Sequence, residues 1–416
     1  MKLTAQDLFA LERRGIERGL SRIEKLLEAL GHPERAYPSV HVTGTNGKGS
    51  TCAMITQILR EAGYHVGLYT SPHLERWTER IQIDGVETSE DALLETAEEI
   101  WPTVEREGAT FYEVTTALAL AEFARQSVEI AVVEVGLGGR WDATNIIHPL
   151  VTIITHVALD HMEYLGGSRL EIATEKAGIL KGGIPLVTAE TDPEILALFQ
   201  QKVEELGVPV RVRGVDFDTQ GASPQDFEFR GKRWSLKDLS VNLRGGHQLE
   251  NASVALAACE ILDEKGFPLS ESDVQNGLLH TAWPGRFEIF KGSPSVVIDA
   301  AHNPDGMETL LRALEEEFSK KPIVFVFGVS SDKPAAQMLS LLRERSSKII
   351  LTRAKNPRAT DPAILKTYYL RGIVEENAGE ALKKAFEVCS PEGVVCVCGS
   401  IFLIGEIRGL LLSSER

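Results

Sequence analysis

Hydrophobic and polar residues alternate along the chain with two different periods. Near the N-terminus, apolar residues that include Ile16 recur every three or four positions over Ala5–Leu30, and Gly31 ends the run. This spacing predicts a helical segment over residues 5–30. Val40 and Val42 then alternate with polar neighbours, which indicates the end of a buried strand.

Strands and helices alternate from there to residue 212. Short runs rich in Val and Ile predict strands, and the longer runs between them predict helices. The predicted strands are His65–Tyr69, Glu129–Val135, Val151–Thr155, Ile184–Val187 and Val208–Val212. The predicted helices are Ser50–Ala62, Ser89–Glu107, Glu113–Gln126, Leu170–Leu180 and Pro193–Leu206. Such alternation is typical of a mainly parallel sheet flanked by helices.

Residues 214–244 break this alternation. Aromatic and polar residues alternate on both sides of Gly231-Lys232, which predicts a small antiparallel hairpin. The helices His247–Lys265 and Glu271–Leu279 follow.

A second strand–helix alternation begins at residue 295. Its predicted strands are 295–299, 322–327, 348–352 and 393–398, and its helices are 304–318, 333–344, 361–369 and 378–388. Because 416 residues are too many for one ordinary core, we expect two domains. We place their boundary between Gly285 and Pro294, which divides the chain into residues 1–288 and 289–416.

A glycine-rich turn joins the strand that contains Val42 to the helix Ser50–Ala62. The turn comprises Gly44, Thr45, Asn46, Gly47, Lys48, Gly49 and Ser50. Its glycines let backbone N–H groups converge on an anion, and the helix N-terminus adds partial positive charge. Lys48 would then reach the β- and γ-phosphates, although Gly49 departs from the common spacing by separating Lys48 from Ser50. A surface turn with a solvated lysine is the alternative, but strand, lysine, hydroxyls and helix coincide here.

Polar residues follow the predicted strands at their carboxyl ends, where ligands collect in open α/β sheets. They are Ser71, His73, Glu134, His156, Asp160, His161, Asp299 and His302. A carboxylate in an apolar strand is costly unless it is paired or binds a metal, so Glu134 is a candidate Mg²⁺ ligand. The cluster His156–His161 indicates a metal site or an acid–base relay. Each of these residues alone also has a purely structural interpretation. Ser71 would be part of a turn, Glu134 would face solvent at a strand end, and Lys176 would be an ordinary exposed lysine.

Composition narrows the functional classes. A hydrophobic content of 43% with 25% charged residues is typical of a soluble globular protein. The net charge of −16 argues against broad binding to nucleic acid or anionic membranes. The five cysteines are odd in number and mostly lie in apolar runs, which favours buried free thiols in a reducing compartment. The apolar stretch Gly393–Gly405 is too short to span a bilayer. We expect a cytoplasmic monomer without nucleic-acid or membrane partners.

These features predict an enzyme that uses ATP and Mg²⁺ in a cleft between two domains. The predicted fold class is α/β. The N-terminal part is a P-loop ATPase-type domain with a mainly parallel sheet and a small antiparallel hairpin, and the C-terminal part is a Rossmann-like α/β domain.

The ordered motifs resemble the folylpolyglutamate synthase/dihydrofolate synthase family, which belongs to the Mur-ligase superfamily. The resemblance covers nearly the whole chain. Its motifs are Gly19–Ile23, Gly44–Ser50, Thr70–Leu74, Glu134–Arg140, Asp142–Asn145, Leu159–His161, Glu175–Gly178, Pro284–Glu288, Asp299–Asn303 and Gly399-Ser400. Ala300 and Trp283 each replace a glycine of the family pattern, at positions without an assigned side-chain role.

The resemblance implies a role for each matching residue. Gly44–Ser50 would hold the triphosphate, and Ser71, Glu134 and His161 would hold one or two Mg²⁺ ions. Lys176 matches a lysine that is carbamylated in this family, and Lys48, His161, Lys176 and His302 are the implied catalytic residues. Further ATP contacts would come from Asn251, Arg286, Asp299 and Ser400. The pterin-side contacts would come from Thr110, Phe111, Tyr112, Glu113, Trp141, Asp142 and Ala143.

The resemblance also implies the reaction, the ATP-dependent addition of L-glutamate to a reduced folate, to dihydropteroate, or to both. An amine does not attack a carboxylate at a useful rate, because oxide is a poor leaving group. Phosphorylation gives an acyl phosphate, with Mg²⁺ and Lys48 spreading the charge of the transition state. Domain closure would exclude the water that hydrolyses this intermediate.

Two other functions remain as alternatives. A Mur-type amino-acid ligase on another carboxylate substrate would need an extra N-terminal domain before residue 40. A regulatory ATP-binding switch would not need His161, Lys176 and Asp299 together.

Overall fold

The N-terminal half is built on one large, mostly parallel sheet. The computed structural model describes residues 2–15, 17–346 and 348–414. The strands of this sheet are β1 Ser39–Thr43, β2 Val66–Tyr69, β3 Ile81–Ile83, β4 Val86–Glu87, β5 Ile130–Glu134, β6 Val151–Ile154, β7 Leu186–Thr188 and β8 Val210–Val212. Their spatial order is β4-β3-β2-β5-β1-β6-β7-β8, and pairing is parallel except at β3 and β4. The sheet confirms the predicted fold class.

Helices cover both faces of this sheet. They are α1 Ala5–Ala10, α2 Ser21–Ala29, α3 Lys48–Glu61, α4 Glu90–Glu107, α5 Phe111–Arg125, α6 Met162–Leu165, α7 Arg169–Lys176, α8 Pro193–Leu206, α9 His247–Glu264 and α10 Glu271–His280. Apolar residues of α3, α9 and α10 pack on one face, and those of α2, α4 and α5 pack on the other. Both faces of β1 are therefore buried, as its central position in a parallel sheet requires.

The single helical segment predicted over residues 5–30 is wrong. Helix α1 is followed by a 3₁₀ turn over Leu11–Arg14, and α2 begins only at Ser21. Gly15 has a φ of 72°, a left-handed conformation that ends the turn. The apolar spacing continues across the break because both helices bury leucines in the same core. Ile16, which contributed to the predicted helix, lies outside the described residues.

The predicted hairpin is part of a larger antiparallel sheet. Its strands are β9 Asp218–Ser223, β10 Asp226–Arg230 and β11 Ser235–Leu239, in the order β11-β10-β9. The buried carboxylate of Glu260 on α9 accepts hydrogen bonds from the backbone N–H groups of Lys232, Arg233 and Trp234 and pairs with Arg211. Glu260 thus fixes the turn between β10 and β11 to the main body.

The C-terminal half has a separate sheet. Its strands are β12 Glu288–Phe290, β13 Ser295–Ile298, β14 Ile323–Phe327, β15 Ile349–Leu351, β16 Ile373–Val374 and β17 Val394–Cys398, in the order β12-β13-β17-β14-β15-β16. Its helices are α11 Pro304–Phe318, α12 Ala335–Arg345, α13 Pro362–Tyr368, α14 Ala378–Val388 and α15 Ile401–Ser414. The sequence pattern did not predict β12, β16 or α15. Strand β12 pairs antiparallel with β13 across the predicted domain boundary.

The two halves meet along the loop that follows β2. Leu74 packs against the core formed by α14, α15 and the second sheet. Arg408 on α15 forms ion pairs with Glu75 at 2.9 Å and with Glu288 at 3.0 Å. Apolar packing and ion pairs therefore hold the C-terminal half against the edge of the first sheet that bears the carboxyl ends of its parallel strands.

Candidate active site

The glycine-rich turn forms a loop between β1 and α3, as predicted. The Thr155 hydroxyl donates to the Asn46 carbonyl at 2.7 Å, and the Thr45 N–H donates to the His156 carbonyl at 2.6 Å. Gly47 has a φ of 89°, and a Cβ atom there would lie 2.3 Å from Oδ1 of Asn251. Only glycine fits this position. The loop therefore delivers Lys48 to the first turn of α3, where N–H groups are free to bind an anion.

Lys48 faces a buried carboxylate. Its Nζ lies 3.9 Å from Oε1 of Glu134 at the end of β5 and donates to the carbonyl of Gly44 at 3.2 Å. The other carboxylate oxygen, Oε2, accepts the N–H of Ser71 at 3.1 Å. Burial raises the pKa of Glu134, and the charge of Lys48 opposes that rise. The structure thus brings Lys48, Ser71 and Glu134 together beside the loop, and Glu134 does not face solvent.

Lys176 reaches the same loop from α7. Its side chain is buried, and its Nζ donates to the Gly44 carbonyl at 2.8 Å. Burial, together with the charge of Lys48, lowers the pKa of Lys176 to about 7. Lys176 is therefore not an exposed lysine, and near neutral pH a large share of its population is the neutral amine.

A second polar cluster joins the two halves around Asp160. Lys333, from the segment after β14, pairs with Oδ1 of Asp160, and Nε2 of His302 lies 3.3 Å from Oδ2. The Asn303 amide donates to Oδ2 at 3.0 Å, and Nε2 of His161 lies 3.2 Å from the Lys333 amine. Burial alone would raise the pKa of Asp160, but the hydrogen bond and charge of His302, together with the charges of His161 and Lys333, hold the pKa well below its usual range. Asp160 is the shared anion of this cluster.

The phosphate loop also touches the C-terminal half directly. The Asn46 and Asn303 amides exchange hydrogen bonds of 3.3 and 3.2 Å, and Asn46 also donates to Asp305 at 2.7 Å. A cavity of about 840 Å³ opens beside these residues and is lined from both halves by His156, Asp160, His161, Asp305 and Lys333, among others. The two halves therefore enclose one polar cleft.

The remaining predicted ATP contacts, Arg286, Asp299 and Ser400, lie in and beside the C-terminal sheet. The Asp299 carboxylate accepts the N–H groups of Phe287 and Ala301, each at 2.8 Å. Burial raises the pKa of Asp299, and the charge of Arg286 opposes the rise. Ser400 is buried immediately before α15, next to Gly399, whose N–H donates to the carbonyl of Ala301.

The two predicted pterin-side segments are in contact. The Tyr112 hydroxyl donates to Oδ1 of Asp142 at 3.2 Å. Trp141 is 46% exposed, whereas Ala143 is buried. Nε of Arg22 donates to both carboxylate oxygens of Glu113, at 2.9 Å to Oε1 and 3.0 Å to Oε2. Glu113 and Asp142 therefore both have protein partners that fix their orientation.

Phe111, in the first of these segments, is linked to His73 through Arg80. Phe111 stacks on Phe9 with ring centroids 5.5 Å apart, and the Arg80 guanidinium lies 5.1 Å from the Phe111 ring. Nε of Arg80 donates to Nδ1 of His73 at 2.9 Å. Burial, aided by the charge of Arg80, lowers the pKa of His73 to about 3, so this imidazole is neutral and its proton is on Nε2.

The predicted metal ligands fall into two places. Ser71 and Glu134 are adjacent, whereas His161 contacts Asp160 and Lys333. Within residues 2–15, 17–346 and 348–414, no group of three or more His, Cys, Asp or Glu side chains could hold a metal ion. Glu134 nevertheless fits a hard divalent cation, because burial disfavours its charged carboxylate and a bound cation would add a counter-charge.

Sequence reasoning missed Lys333 and the partner role of Arg22. Lys333 follows the carboxyl end of β14 in the run Ser330–Pro334, the kind of position that drew attention to the other candidates. Its location at a strand end was the available signal. Arg22 lies in the motif Gly19–Ile23, but its pairing with Glu113 could not be read from the sequence, because the two residues are 91 positions apart.

Comparisons with known proteins agree with this geometry. Residues 42–259 match the Mur ligase middle domain, and residues 285–401 match the family described as Mur ligase, glutamate ligase domain. The chain is 35% identical over 411 residues to a dihydrofolate synthase/folylpolyglutamate synthase of Bacillus subtilis, with 95% of each chain covered. The structure of Escherichia coli FolC in complex with DHPP and ADP superposes with a TM-score of 0.92 at 32% identity, covering 99% of this chain and 98% of that one.

A solved bifunctional folylpolyglutamate synthase/dihydrofolate synthase with Mn, AMPPNP and L-glutamate bound gives a TM-score of 0.89 at 33% identity, with 98% of each chain covered. Fold and site together define an ATP-dependent ligase of the Mur type. Within that class, the chain belongs to the folylpolyglutamate synthase/dihydrofolate synthase family. The resemblance inferred from the motifs is confirmed, and the alternative of a regulatory switch is not supported.

Proposed function

We propose that the protein uses ATP to join L-glutamate to the carboxylate of a reduced folate, of dihydropteroate, or of both, through an acyl phosphate. The observation that carries this proposal is the convergence of Lys48, Glu134 and Lys176 on the loop after β1. One carboxylate and two lysines at a phosphate loop suit phosphoryl transfer, in which negative charge is redistributed between oxygens.

In the first step, a carboxylate oxygen of the acceptor attacks the γ-phosphorus of ATP. The bond from that phosphorus to the β,γ-bridging oxygen breaks, and ADP leaves. Lys48 stabilises the charge on the transferring group, while backbone N–H groups at the start of α3 hold the phosphates. In the second step, the amino nitrogen of glutamate attacks the acyl carbon, phosphate departs with its oxygen, and the nitrogen loses a proton.

Glu134 and Ser71 would hold Mg²⁺ on this site, and His161 would approach a second ion. When bound, Mg²⁺ neutralises phosphate charge and orients the γ-phosphoryl group. Asn251, Arg286, Asp299 and Ser400 contribute to nucleotide binding in this proposal. The support is that Asn251 contacts Gly47 and that the charge of Arg286 acts both on Glu134 and on Asp299.

Lys176 is proposed to act as a carbamate. The lone pair of its neutral amine attacks the carbon of CO₂, one C–O π bond becomes a carboxylate oxygen, and a proton leaves the nitrogen. Its low pKa supplies the neutral amine, and the Gly44 contact places it at the loop. We expect Lys176→Ala to be nearly inactive and acetate to restore part of its turnover. An active, nucleotide-bound crystal with an unmodified Lys176 would exclude the carbamate.

The pterin side is assigned to Thr110–Glu113 and Trp141–Ala143, and His302 is assigned a catalytic role in the cleft, beside the nucleotide contacts. The Tyr112–Asp142 hydrogen bond supports the first assignment, because it makes the two segments one surface. The contact of His302 with Asp160 supports the second, since it places His302 in the cleft between the halves.

The division of the chain into residues 1–288 and 289–416, and a cytoplasmic location, belong to the same proposal. The two separate sheets support the division. The five cysteines, all within the described part of the chain, are free and buried, which suits a reducing compartment. The helices that the structure describes all lack the length and apolarity needed to cross a membrane.

Glutamate-dependent release of phosphate from ATP tests the proposal. The purified protein is assayed with dihydropteroate and with tetrahydrofolate, each with and without glutamate. Release that requires both glutamate and one acceptor is expected, together with an amide product of matching mass. Release without glutamate, or none with either acceptor, would contradict it.

A further inference from the structure

His41 is a buried imidazole to which the proposed chemistry gives no role. It lies in the middle of β1, fully buried, on the face of the sheet that carries the 3₁₀ turn Ala143–Ile146. Its Nε2 is 2.9 Å from Oγ1 of Thr144. Its Nδ1 has no hydrogen-bond partner among the residues that the structure describes. Burying an unpaired polar atom is unfavourable, so this side chain calls for an explanation.

The contacts of Thr144 determine where the His41 proton lies. The Asp142 carboxylate receives the N–H of Thr144 at 3.0 Å on one oxygen and the N–H of Leu137 at 2.9 Å on the other. The Thr144 hydroxyl is also 2.5 Å from Oδ1 of Asp142 and donates its single proton there. That hydroxyl must therefore accept from His41, which puts the imidazole proton on Nε2 and leaves Nδ1 bare.

The surroundings of His41 keep it neutral, and hydrogen bonds of Asn145 hold the backbone that follows Asp142. Burial, aided by the charge of Lys181, lowers the pKa of His41 well below its usual value. Lys181 donates to Oδ1 of Asn145 at 2.6 Å, and Asn145 donates to the Arg140 carbonyl at 3.0 Å. The backbone that follows Asp142 is therefore held by hydrogen bonds that do not involve His41. What His41 adds is one hydrogen bond, which orients the Thr144 hydroxyl.

The two oxygens of the Asp142 carboxylate accept different numbers of hydrogen bonds. Oδ1 accepts from Thr144 twice and from Tyr112, whereas Oδ2 accepts only the N–H of Leu137 within the described residues. Oδ2 therefore keeps acceptor capacity for a ligand. A leucine at position 41 would fill the same space without a bare acceptor, so core packing alone does not explain a histidine.

We propose that His41 is a positioning residue which, through Thr144, holds the Asp142 carboxylate in place to accept N–H donors of the heterocycle of the acceptor substrate. This rests on the proposed function, because it assigns the acceptor to the surface formed by Tyr112 and Asp142. His41 itself touches no substrate. The relay is a chain of two hydrogen bonds from β1 to the loop.

The main test compares His41→Leu with His41→Gln. Leucine removes both the donor to Thr144 and the bare Nδ1, so we expect a melting temperature no lower than that of the parent. The KM for the acceptor should rise about tenfold, as for a weakened hydrogen bond to a charged group, while the KM values for ATP and glutamate stay unchanged. Glutamine keeps an N–H at the distance of Nε2 and should restore most of the acceptor KM.

Thr352→Val is the matched control. Like Nδ1 of His41, the buried hydroxyl of Thr352 has no hydrogen-bond partner in the described residues. Thr352 is not among the cleft residues discussed above. The substitution should leave all three KM values unchanged. An unaltered acceptor KM in His41→Leu, or an equal rise in all three KM values, would overturn the proposal.

A second measurement does not depend on turnover. Nitrogen-15 NMR of the imidazoles should show His41 neutral with its proton on Nε2, and a proton on Nδ1 would refute the relay even if His41→Leu failed to fold.

In a double-mutant cycle with Asp142→Asn, the effect of His41→Leu on the acceptor KM should disappear, whereas full additivity would refute the coupling. If the parent protein shows no glutamate-dependent phosphate release, the proposed function fails, while the NMR result still decides the relay.

Discussion

Asp160 and Lys333 form a buried ion pair that connects the two halves of the chain. Each side chain is only 7% exposed, Asp160 follows β6 of the first sheet, and Lys333 follows β14 of the second. Asn303 and His302 complete the surroundings of the carboxylate. Because the partners come from different sheets, the pair exists only when the two halves are apposed.

Removing one member of this pair should be costly. Lys333→Met leaves the buried Asp160 without its lysine partner, and we expect a loss of about 3 kcal/mol in the free energy of unfolding. The double variant Asp160→Asn/Lys333→Met should recover part of that loss, because no uncompensated charge remains. Chemical denaturation of the four proteins in the cycle measures the coupling. Additive losses would mean that the pair contributes no interaction energy.

Lys48→Ala should reduce kcat by about 100-fold or more with the fold retained, since Lys48 spreads charge that develops in the transition state. Steady-state phosphate release measures the effect, and circular dichroism checks the fold. Lys265→Ala, which removes an exposed lysine at the end of α9, is the control and should retain full turnover. Near-normal turnover in Lys48→Ala would rule out the assigned role of the loop lysine.

Glu134→Gln keeps the shape of the side chain and removes its charge. Since burial disfavours the charged form of Glu134, the variant should unfold at a temperature no lower than the parent in the absence of ligands. It should lose most turnover and need a higher Mg²⁺ concentration. Thermal shift with and without Mg²⁺ and an ATP analogue checks both parts. An unchanged Mg²⁺ requirement would favour a purely structural carboxylate.

The unmodified form of Lys176 should carry a pH-dependent stability cost. Its pKa is about 7 in the folded state and about 10.4 in the unfolded chain, so the unfolded state binds more protons between these values. The cost is fully present below pH 7 and disappears as the pH rises toward 10.4. In CO₂-free buffer, Lys176→Met should therefore stabilise the protein by up to about 4 kcal/mol at pH 6 and by much less at pH 9.5.

Lys265→Met is the control for this measurement, because an exposed lysine has no burial cost to remove. A gain in stability that is equal at pH 6 and at pH 9.5 would show that Lys176 titrates normally in the folded protein.

Much of the fold could be predicted because strand–helix alternation follows directly from buried apolar runs. The helix Pro193–Leu206 begins and ends where the pattern placed it, since Asp192 caps its start and Gly207 follows its end. Strands β3, β4 and β16 were missed because each has only two or three residues and lies at or beside a sheet edge. Helix α15 was missed because only Gly399 and Ser400 separate its apolar first turns from the apolar strand β17, so the two elements look like one hydrophobic stretch.

The residues of the site also divide into those that the sequence could predict and those that it could not. Lys48, Glu134 and Ser71 were predictable because the carboxyl ends of neighbouring parallel strands meet at one edge. The partnership of Asp160 with Lys333 was not, because it depends on how the second sheet docks against the first, which no local pattern encodes. The unpaired Nδ1 of His41 was equally hidden, since a buried histidine in a strand looks the same in sequence whether or not its nitrogens are satisfied.

The reciprocal amide pair of Asn46 and Asn303 has a thermodynamic consequence. One partner belongs to the glycine-rich loop to which we assign the nucleotide and the other to the C-terminal half, so nucleotide binding and apposition of the halves share a contact in this proposal. Any factor by which closure tightens nucleotide binding is, by linkage, the factor by which nucleotide favours closure. In this proposal, release of ADP and separation of the two halves are coupled, and a variant that weakens the pair favours both.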